Sequence, residues 1–138
     1  MRIAIGSDHR GWQVKARLVK MLQGAGHEIF DLGTNSADSV DYPDIASAVS
    51  SRVSAGDVER GILICGTGIG MSISANKFSG VRAATCQDAF VAEMSRRHND
   101  VNVLSFFRTS IFKINPLDSS YKGFSTRIKK SKYTYMYW

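Results

Sequence analysis

The segment 61–65, GILIC, is apolar at every position, and it constrains the fold more than any other part of the sequence. A strand with one face in water alternates apolar and polar residues, so an uninterrupted apolar run indicates a strand buried on both faces. Less uniformly apolar strand patterns of the same length cover residues 2–6, 28–32, 81–85 and 102–106. The sequence therefore predicts five strands, of which the third is central.

Amphipathic helical patterns separate these strands. The pattern over 12–22 places apolar residues three and four positions apart and stops at a glycine-rich turn. Similar patterns cover 45–53, 71–78 and 88–98. Strands that alternate with helices favour an α/β fold. We predict a three-layer, doubly wound, five-stranded parallel sheet of the Rossmann or flavodoxin-like type, in a single domain over residues 1–138.

The last quarter of the chain has a different composition. Residues 1–104 contain 11 basic and 11 acidic side chains, whereas residues 105–138 contain 7 basic side chains and one acidic one, which gives the net charge of +6. Nine of the 14 aromatic residues also lie there. We therefore distinguish an atypical basic, aromatic-rich C-terminal segment, 107–138. It either contacts nucleic acid or acidic surfaces, or has a different origin from the rest.

Several classes of protein are disfavoured by what the sequence lacks. No apolar run approaches the ~20 residues that a membrane span needs, and the N-terminus shows no basic-then-apolar leader. Two cysteines are too few for a disulfide scaffold. We expect a cytoplasmic protein with reduced thiols and no membrane partner. We expect no metal, because the three histidines and two cysteines show no ligand spacing.

Two polar segments follow the first and third predicted strands. In an open parallel sheet of flavodoxin-like order, ligands bind beyond the carboxyl ends of these strands, where the topology switches direction. Asp8 and His9 end the first strand, and Cys65 with the loop 66–70 ends the third. Topology alone therefore predicts that these residues converge in one crevice.

The loop 66–70, GTGIG, has two interpretations. It enters a helix, so its N–H groups could bind an anion, or it is only a tight strand-to-helix turn. It is not a dinucleotide fingerprint, because Met71 replaces the third glycine, and it lacks the lysine of a Walker loop. Cys65 is likewise either a small buried hydrophobe or a thiolate favoured by the helix N-terminus. Cys86 has no such loop, and we interpret it as core.

His98 and Asn99 end the fourth predicted helix. That helix runs back toward the amino edge of the sheet, so the histidine could simply cap it. To reach the crevice, His98 must serve a neighbouring subunit or lie on a bent connection.

Five motifs occur in a defined order: GSDHRG at 6–11, DYP at 41–43, ICGTGIGMS at 64–72, ANK at 75–77 and RHNDVNVL at 97–104. Together they closely resemble the type B ribose-5-phosphate isomerase family, which includes galactose-6-phosphate isomerase subunits. The resemblance covers residues 1–106. It implies an aldose–ketose isomerase of the pentose phosphate pathway that interconverts ribose 5-phosphate and ribulose 5-phosphate. It also implies a homodimer or tetramer with sites shared between subunits, and no cofactor.

The resemblance also implies roles for individual residues. Cys65 would be the base that moves a proton between carbons 1 and 2 through an enediolate, with Thr67 supporting it and His98 helping to open the sugar ring. The implied substrate-binding residues are Asp8, His9, Tyr42, Gly66, Gly68, Ile69, Gly70 and Asn99. Among these, Asp8 and Asn99 would contact sugar oxygens, His9 would approach the phosphate, and the loop amides would hold the enediolate oxygens.

After residue 106 the sequence departs from the family pattern, in which later arginines clamp the phosphate. Arg108 and Arg127 have no surrounding motif that matches. We hypothesise that residues from about 107 replace the usual C-terminus, as a frameshift would. Resequencing the coding region would contradict this if no alternative frame encoded the family motif.

Other functions stay open at this level. The chain could be a catalytically impaired family member without phosphate-binding arginines. The basic tail could make it a nucleic-acid-binding module, although we expect no nucleic acid partner. A flavin- or nucleotide-binding domain is disfavoured by the loop sequence. The substrate could be a ribose, allose or galactose phosphate.

Overall fold

The computed structural model describes residues 1–108, and the C-terminal segment beyond, including Arg127, lies outside the described residues. The strands are β1 (Arg2–Ser7), β2 (Glu28–Asp31), β3 (Arg60–Cys65), β4 (Ala83–Cys86) and β5 (Val103–Phe107). The helices are α1 (Trp12–Gly24), α2 (Tyr42–Ser54), α3 (Ile69–Ala75) and α4 (Ala89–Asn99). Within residues 1–108, no helix is long and apolar enough to cross a membrane.

All five strands are parallel and pair in the order β2-β1-β3-β5-β4. The predicted α/β fold with a doubly wound parallel sheet is confirmed. The last two strands are exchanged relative to the flavodoxin order 2-1-3-4-5. β5 is buried almost throughout, whereas β4 is short and only half-buried. The more apolar strand therefore lies inside, against β3, and β4 forms the edge.

The sheet has an apolar core on each face, which explains the uninterrupted apolar run in β3. Ile62 and Ile64 pack with the face covered by α1 and α4. Leu63 and Cys65 belong to the opposite cluster, with α2 and α3. Residues 61–65 are therefore all buried, whichever face of the sheet each side chain points to.

Two helices begin earlier than the sequence predicts. α2 starts at Tyr42 instead of residue 45, and Pro43 fits its first turn, where a missing N–H costs nothing. α3 starts at Ile69 because Gly68 takes a left-handed conformation, with φ of 80°, and ends the turn two residues sooner.

α3 also ends earlier than predicted, at Ala75 instead of residue 78. The next residue, Asn76, uses its side-chain amide on the edge strand. Its Nδ2 donates to the carbonyl of Ala83 at 2.9 Å, and its Oδ1 accepts from the N–H of Ala83 at 2.8 Å. This amide replaces a neighbouring strand and satisfies an edge that would otherwise be open to pairing.

An ion pair between a buried lysine and a partly exposed aspartate joins α1 to β2 and to the loop that follows. The side chain of Lys15 is fully buried, and its Nζ lies 2.5 Å from Asp31 and 2.7 Å from Asn35. A buried ammonium requires such partners. The pair therefore fixes the start of the loop that leads to α2, at the carboxyl edge of the sheet.

Gly33 lies directly against the end of β1. A Cβ added there would lie 2.3 Å from the backbone nitrogen of Ser7 and 3.0 Å from its carbonyl oxygen. Because these atoms belong to the backbone of a central strand, no rotamer change relieves the overlap.

We predict that Gly33→Ala lowers the free energy of unfolding by about 1–3 kcal/mol, as overpacking does. Gly24→Ala is the matched control, since a Cβ at Gly24 meets nothing within 4 Å. It should leave stability unchanged or raise it by up to about 1 kcal/mol. Urea denaturation of both variants tests this, and equal midpoints would contradict the packing argument.

Candidate active site

The carboxyl ends of β1 and β3 lie side by side. Ser7 pairs with Ile64 in the sheet register, and the N–H of Asp8 donates to the carbonyl of Ile64 at 3.1 Å. The helices that follow these strands leave on opposite faces, as their two core clusters show. Asp8 and Cys65 therefore end at the crevice that the topology predicts.

Cys65 is nearly buried, with 6% of its surface exposed. Its Sγ accepts a hydrogen bond from the N–H of Gly68 at 3.0 Å. An N–H group aimed at sulfur stabilises negative charge there, because the donor dipole is fixed and needs no reorganisation. The turn after β3 therefore provides the Cys65 sulfur with a fixed hydrogen-bond donor, the N–H of Gly68.

Two hydroxyls hold the glycine loop from below. The carbonyl of Gly68 accepts from Ser105 Oγ at 2.6 Å and from Thr85 Oγ1 at 3.2 Å. A Cβ at Gly68 would lie 3.0 Å from Thr85 Cγ2 and 3.3 Å from Ser105 Oγ. Glycine is required at residue 68 for two reasons: the φ of 80° is unfavourable for other residues, and a Cβ would crowd its neighbours. Neither hydroxyl is predicted from the sequence, where the one signal is a serine inside the otherwise apolar β5.

Thr67 is exposed on the loop, and its Oγ1 accepts from the N–H of Ile69 at 3.3 Å. The N–H of Gly68 is already directed at Cys65. Two of the loop amides thus have partners within the loop. The expectation from the resemblance, that the amides from Gly66 to Gly70 hold the enediolate oxygens, stays a prediction.

Tyr42 reaches the loop from the first residue of α2. A Cβ at Gly70 would lie 2.7–3.0 Å from Cε2, Cζ and Oη of Tyr42, so the phenol packs directly on this glycine. Tyr42 is 42% exposed, and it forms one wall of the crevice.

The turn after β1 brings three polar side chains to the same edge. Asp8 is 7% exposed, and its Oδ1 accepts from the N–H of Arg10 at 2.9 Å. His9 is half-buried, and its Nδ1 accepts from the N–H of Val40 at 3.4 Å. That contact leaves Nε2 as the nitrogen that can donate. The guanidinium of Arg10 lies against Gly66, and the sequence analysis did not select it.

His98 and Asn99 lie away from this group. They are exposed in the last turn of α4, and the carbonyl of Asn99 accepts from Arg82 Nε at 2.7 Å, just before β4. That is the amino edge of the sheet, opposite the end of β3 that carries Cys65. A single chain therefore does not bring His98 or Asn99 to the glycine loop.

Cys86 differs from Cys65 in its surroundings. It is completely buried at the end of β4, its Sγ lies 3.8 Å from Ser95 Oγ, and burial raises the pKa of its thiol. Within residues 1–108, no group of three His, Cys, Asp or Glu side chains is placed to hold a metal ion.

The polar groups at the switch point between β1 and β3 are a thiol, a glycine loop, a carboxylate and a phenol. In an open parallel sheet, such a set is typical of an α/β enzyme that acts on a small polar molecule. A family model described as Ribose/Galactose Isomerase matches residues 3–125. The chain belongs to this family of sugar-phosphate isomerases, which confirms the resemblance found in the sequence.

The chain is 50% identical to ribose-5-phosphate isomerase B of Escherichia coli (strain K12) over 105 residues, which are 76% of this chain and 70% of that protein. It is 42% identical to a 4-deoxy-4-sulfo-D-erythrose isomerase of Clostridium sp. (strain MSTE9) over 106 residues, 76% of this chain and 67% of the relative. The type B ribose 5-phosphate isomerase structure from Trypanosoma cruzi superposes with a TM-score of 0.85 at 40% identity, covering 96% and 89% of the two chains.

We predict that iodoacetamide alkylates Cys65 before Cys86 in the folded protein at pH 8. Burial raises the pKa of the Cys86 thiol, so less of it is thiolate at this pH, and it has no exposed surface. Peptide mass spectrometry reads the order of labelling. Cys65→Ser should remove the fast phase and Cys86→Ser should leave it, whereas faster labelling of Cys86 would contradict the assignment.

Proposed function

We propose that this chain interconverts ribose 5-phosphate and ribulose 5-phosphate by proton transfer through an enediolate, with Cys65 as the base. The observation that carries the proposal is the 3.0 Å contact from the N–H of Gly68 to Cys65 Sγ at the head of the β1–β3 crevice. The names of the relatives from Escherichia coli and Trypanosoma cruzi support ribose 5-phosphate as the substrate. The Clostridium relative acts on a different sugar, so the family name alone does not fix the substrate.

The chemistry requires a base that is both aimed and stabilised. In the open-chain aldose, the hydrogen on carbon 2 is weakly acidic because the neighbouring carbonyl accepts its electrons. The Cys65 thiolate takes this proton, and the electron pair moves to the carbonyl oxygen to form the enediolate. Return of the proton to carbon 1, with transfer of the hydroxyl proton from oxygen 2 to oxygen 1, yields the ketose.

The neighbouring groups suit this reaction. Gly68 N–H keeps the sulfur in place between proton transfers. Thr67, an exposed residue whose Oγ1 accepts from the N–H of Ile69, would support the base, and the amides of Gly66 and Gly70 would hold the enediolate oxygens. The Asp8 carboxylate and the Tyr42 phenol are positioned to contact sugar hydroxyls, and His9 Nε2 can donate to the phosphate.

A second subunit completes the proposed site. His98 and Asn99 lie at the opposite edge of the sheet from Cys65, so a homodimer would have to present them to the partner's crevice for ring opening. This is the arrangement that the sequence resemblance implies. The competing account is a family member without a functional phosphate site, because the sequence after residue 106 does not match the family pattern that carries the phosphate-binding arginines.

We predict that Cys65→Ala lowers kcat for ribose 5-phosphate isomerisation by roughly 10²–10⁴-fold, the usual contribution of a positioned base. Cys86→Ser is the matched control and should retain the wild-type rate, since Cys86 lies at the edge strand of the sheet. A coupled or spectroscopic assay of ribulose 5-phosphate measures both. Equal rates for wild type and Cys65→Ala would remove Cys65 from the mechanism.

We also predict that two inactive variants complement each other. If each site takes Cys65 from one subunit and His98 from the other, a Cys65→Ala/His98→Asn heterodimer contains one intact site. Random reassortment by unfolding and refolding a mixture should restore about a quarter of wild-type activity, since half of the dimers are hybrids with one active site of two. Separately refolded variants are the control, and no recovery in the mixture would contradict shared sites.

A further inference from the structure

Arg10 lies within the GSDHRG motif and carries a cation to the crevice, but the proposed mechanism gives its side chain no role. A Cβ at Gly66 would lie 3.1 Å from Arg10 Nη1 and 3.4 Å from its Cδ, so the end of this side chain lies against the first glycine of the loop. Gly66 directly follows Cys65. The guanidinium is therefore held beside the candidate active site by the absence of a side chain at residue 66.

This guanidinium has no partner among residues 1–108. The described ion pairs engage Lys15, Arg96 and Arg97, and none engages Arg10. Arg10 is exposed, and its only hydrogen bond in the described part of the chain is made by its backbone N–H. The five N–H donors of this guanidinium therefore have no acceptor among residues 1–108.

The turn that carries Arg10 is fixed at several points. Asp8 Oδ1 accepts from the N–H of Arg10 at 2.9 Å, and the carbonyl of Asp8 accepts from the N–H of Gly11 at 3.0 Å. Gly11 packs so closely on β3 that a Cβ there would lie 2.7 Å from Ile64 Cγ2. The side chain thus projects from an anchored turn, which lowers the entropy lost when it binds a ligand.

We propose that Arg10 binds the phosphate of the sugar phosphate and so acts as a substrate-positioning residue. The inference rests on the proposed function. A guanidinium presents parallel N–H donors that match phosphate oxygens, and a charge-assisted pair of this kind is stronger than a neutral hydrogen bond. The exposed position of Arg10 suits a dianionic group that stays hydrated, whereas the reacting carbons belong near the nearly buried Cys65.

Arg10→Gln tests the assignment, with Arg10→Lys as the conservative variant and Lys20→Gln as the control. Lys20 is exposed on α1, outside the crevice, and its replacement removes the same charge. We expect Arg10→Gln to raise KM for ribose 5-phosphate and Ki for inorganic phosphate by about 10- to 100-fold, the range for hydrogen bonds to charged groups. kcat should change little, Arg10→Lys should be intermediate, and Lys20→Gln should match wild type.

Unchanged KM and Ki in Arg10→Gln would overturn the inference, and so would a fall in kcat at constant KM, which would place Arg10 at the reacting carbons. If the wild-type chain does not isomerise ribose 5-phosphate, the proposed function fails, but the inference about Arg10 is still decided. Calorimetric titration with inorganic phosphate then compares the two proteins directly. Weaker binding by Arg10→Gln supports the assignment, and equal binding refutes it.

Discussion

The parallel pairing of β1 with β3 is the interaction on which the rest of the site depends. It is continued beyond the strands by the hydrogen bond from the N–H of Asp8 to the carbonyl of Ile64. That bond extends the register into the first residue of the polar turn, so Asp8 is placed by backbone geometry and not by a flexible side chain. The carboxylate and the thiol that ends β3 therefore share one edge of the sheet.

The glycine loop converts this edge into a chemical site. Its shape requires a left-handed residue at Gly68, and the carbonyl of that glycine is held by hydroxyls from β4 and β5. With the carbonyl fixed, the N–H of the same residue points to Cys65 Sγ. The order of the strands matters here, because β5 lies next to β3 and so brings Ser105 beneath the loop. The insertion of β5 between β3 and β4 therefore has two results: β4 becomes the edge strand, and Ser105 can hold the loop whose N–H contacts the Cys65 thiol.

The sequence predicts the α/β class and the crevice, because the apolar run of β3 requires burial on both faces and topology then brings Asp8 to Cys65. It does not predict the exchange of β4 and β5, which depends on how deeply each strand is buried. The sequence also does not predict the roles of Ser105 and Arg10, because their contacts with the glycine loop form only in the folded chain. A serine in a strand usually has a structural role, and an arginine in a turn is usually solvated. The proposed approach of His98 to Cys65 would require a second chain, so the fold of one chain does not specify it.

We propose that Cys65 exchanges a proton with the substrate. The most direct test is isomerisation in D₂O, followed by NMR of carbon 1 of the ribulose 5-phosphate formed. We expect deuterium at carbon 1 with the wild-type chain, because the proton passes through an exchangeable thiol, and conversion that is slower by roughly 10²–10⁴-fold with Cys65→Ala. Product without deuterium, formed at the same rate by both proteins, would contradict it.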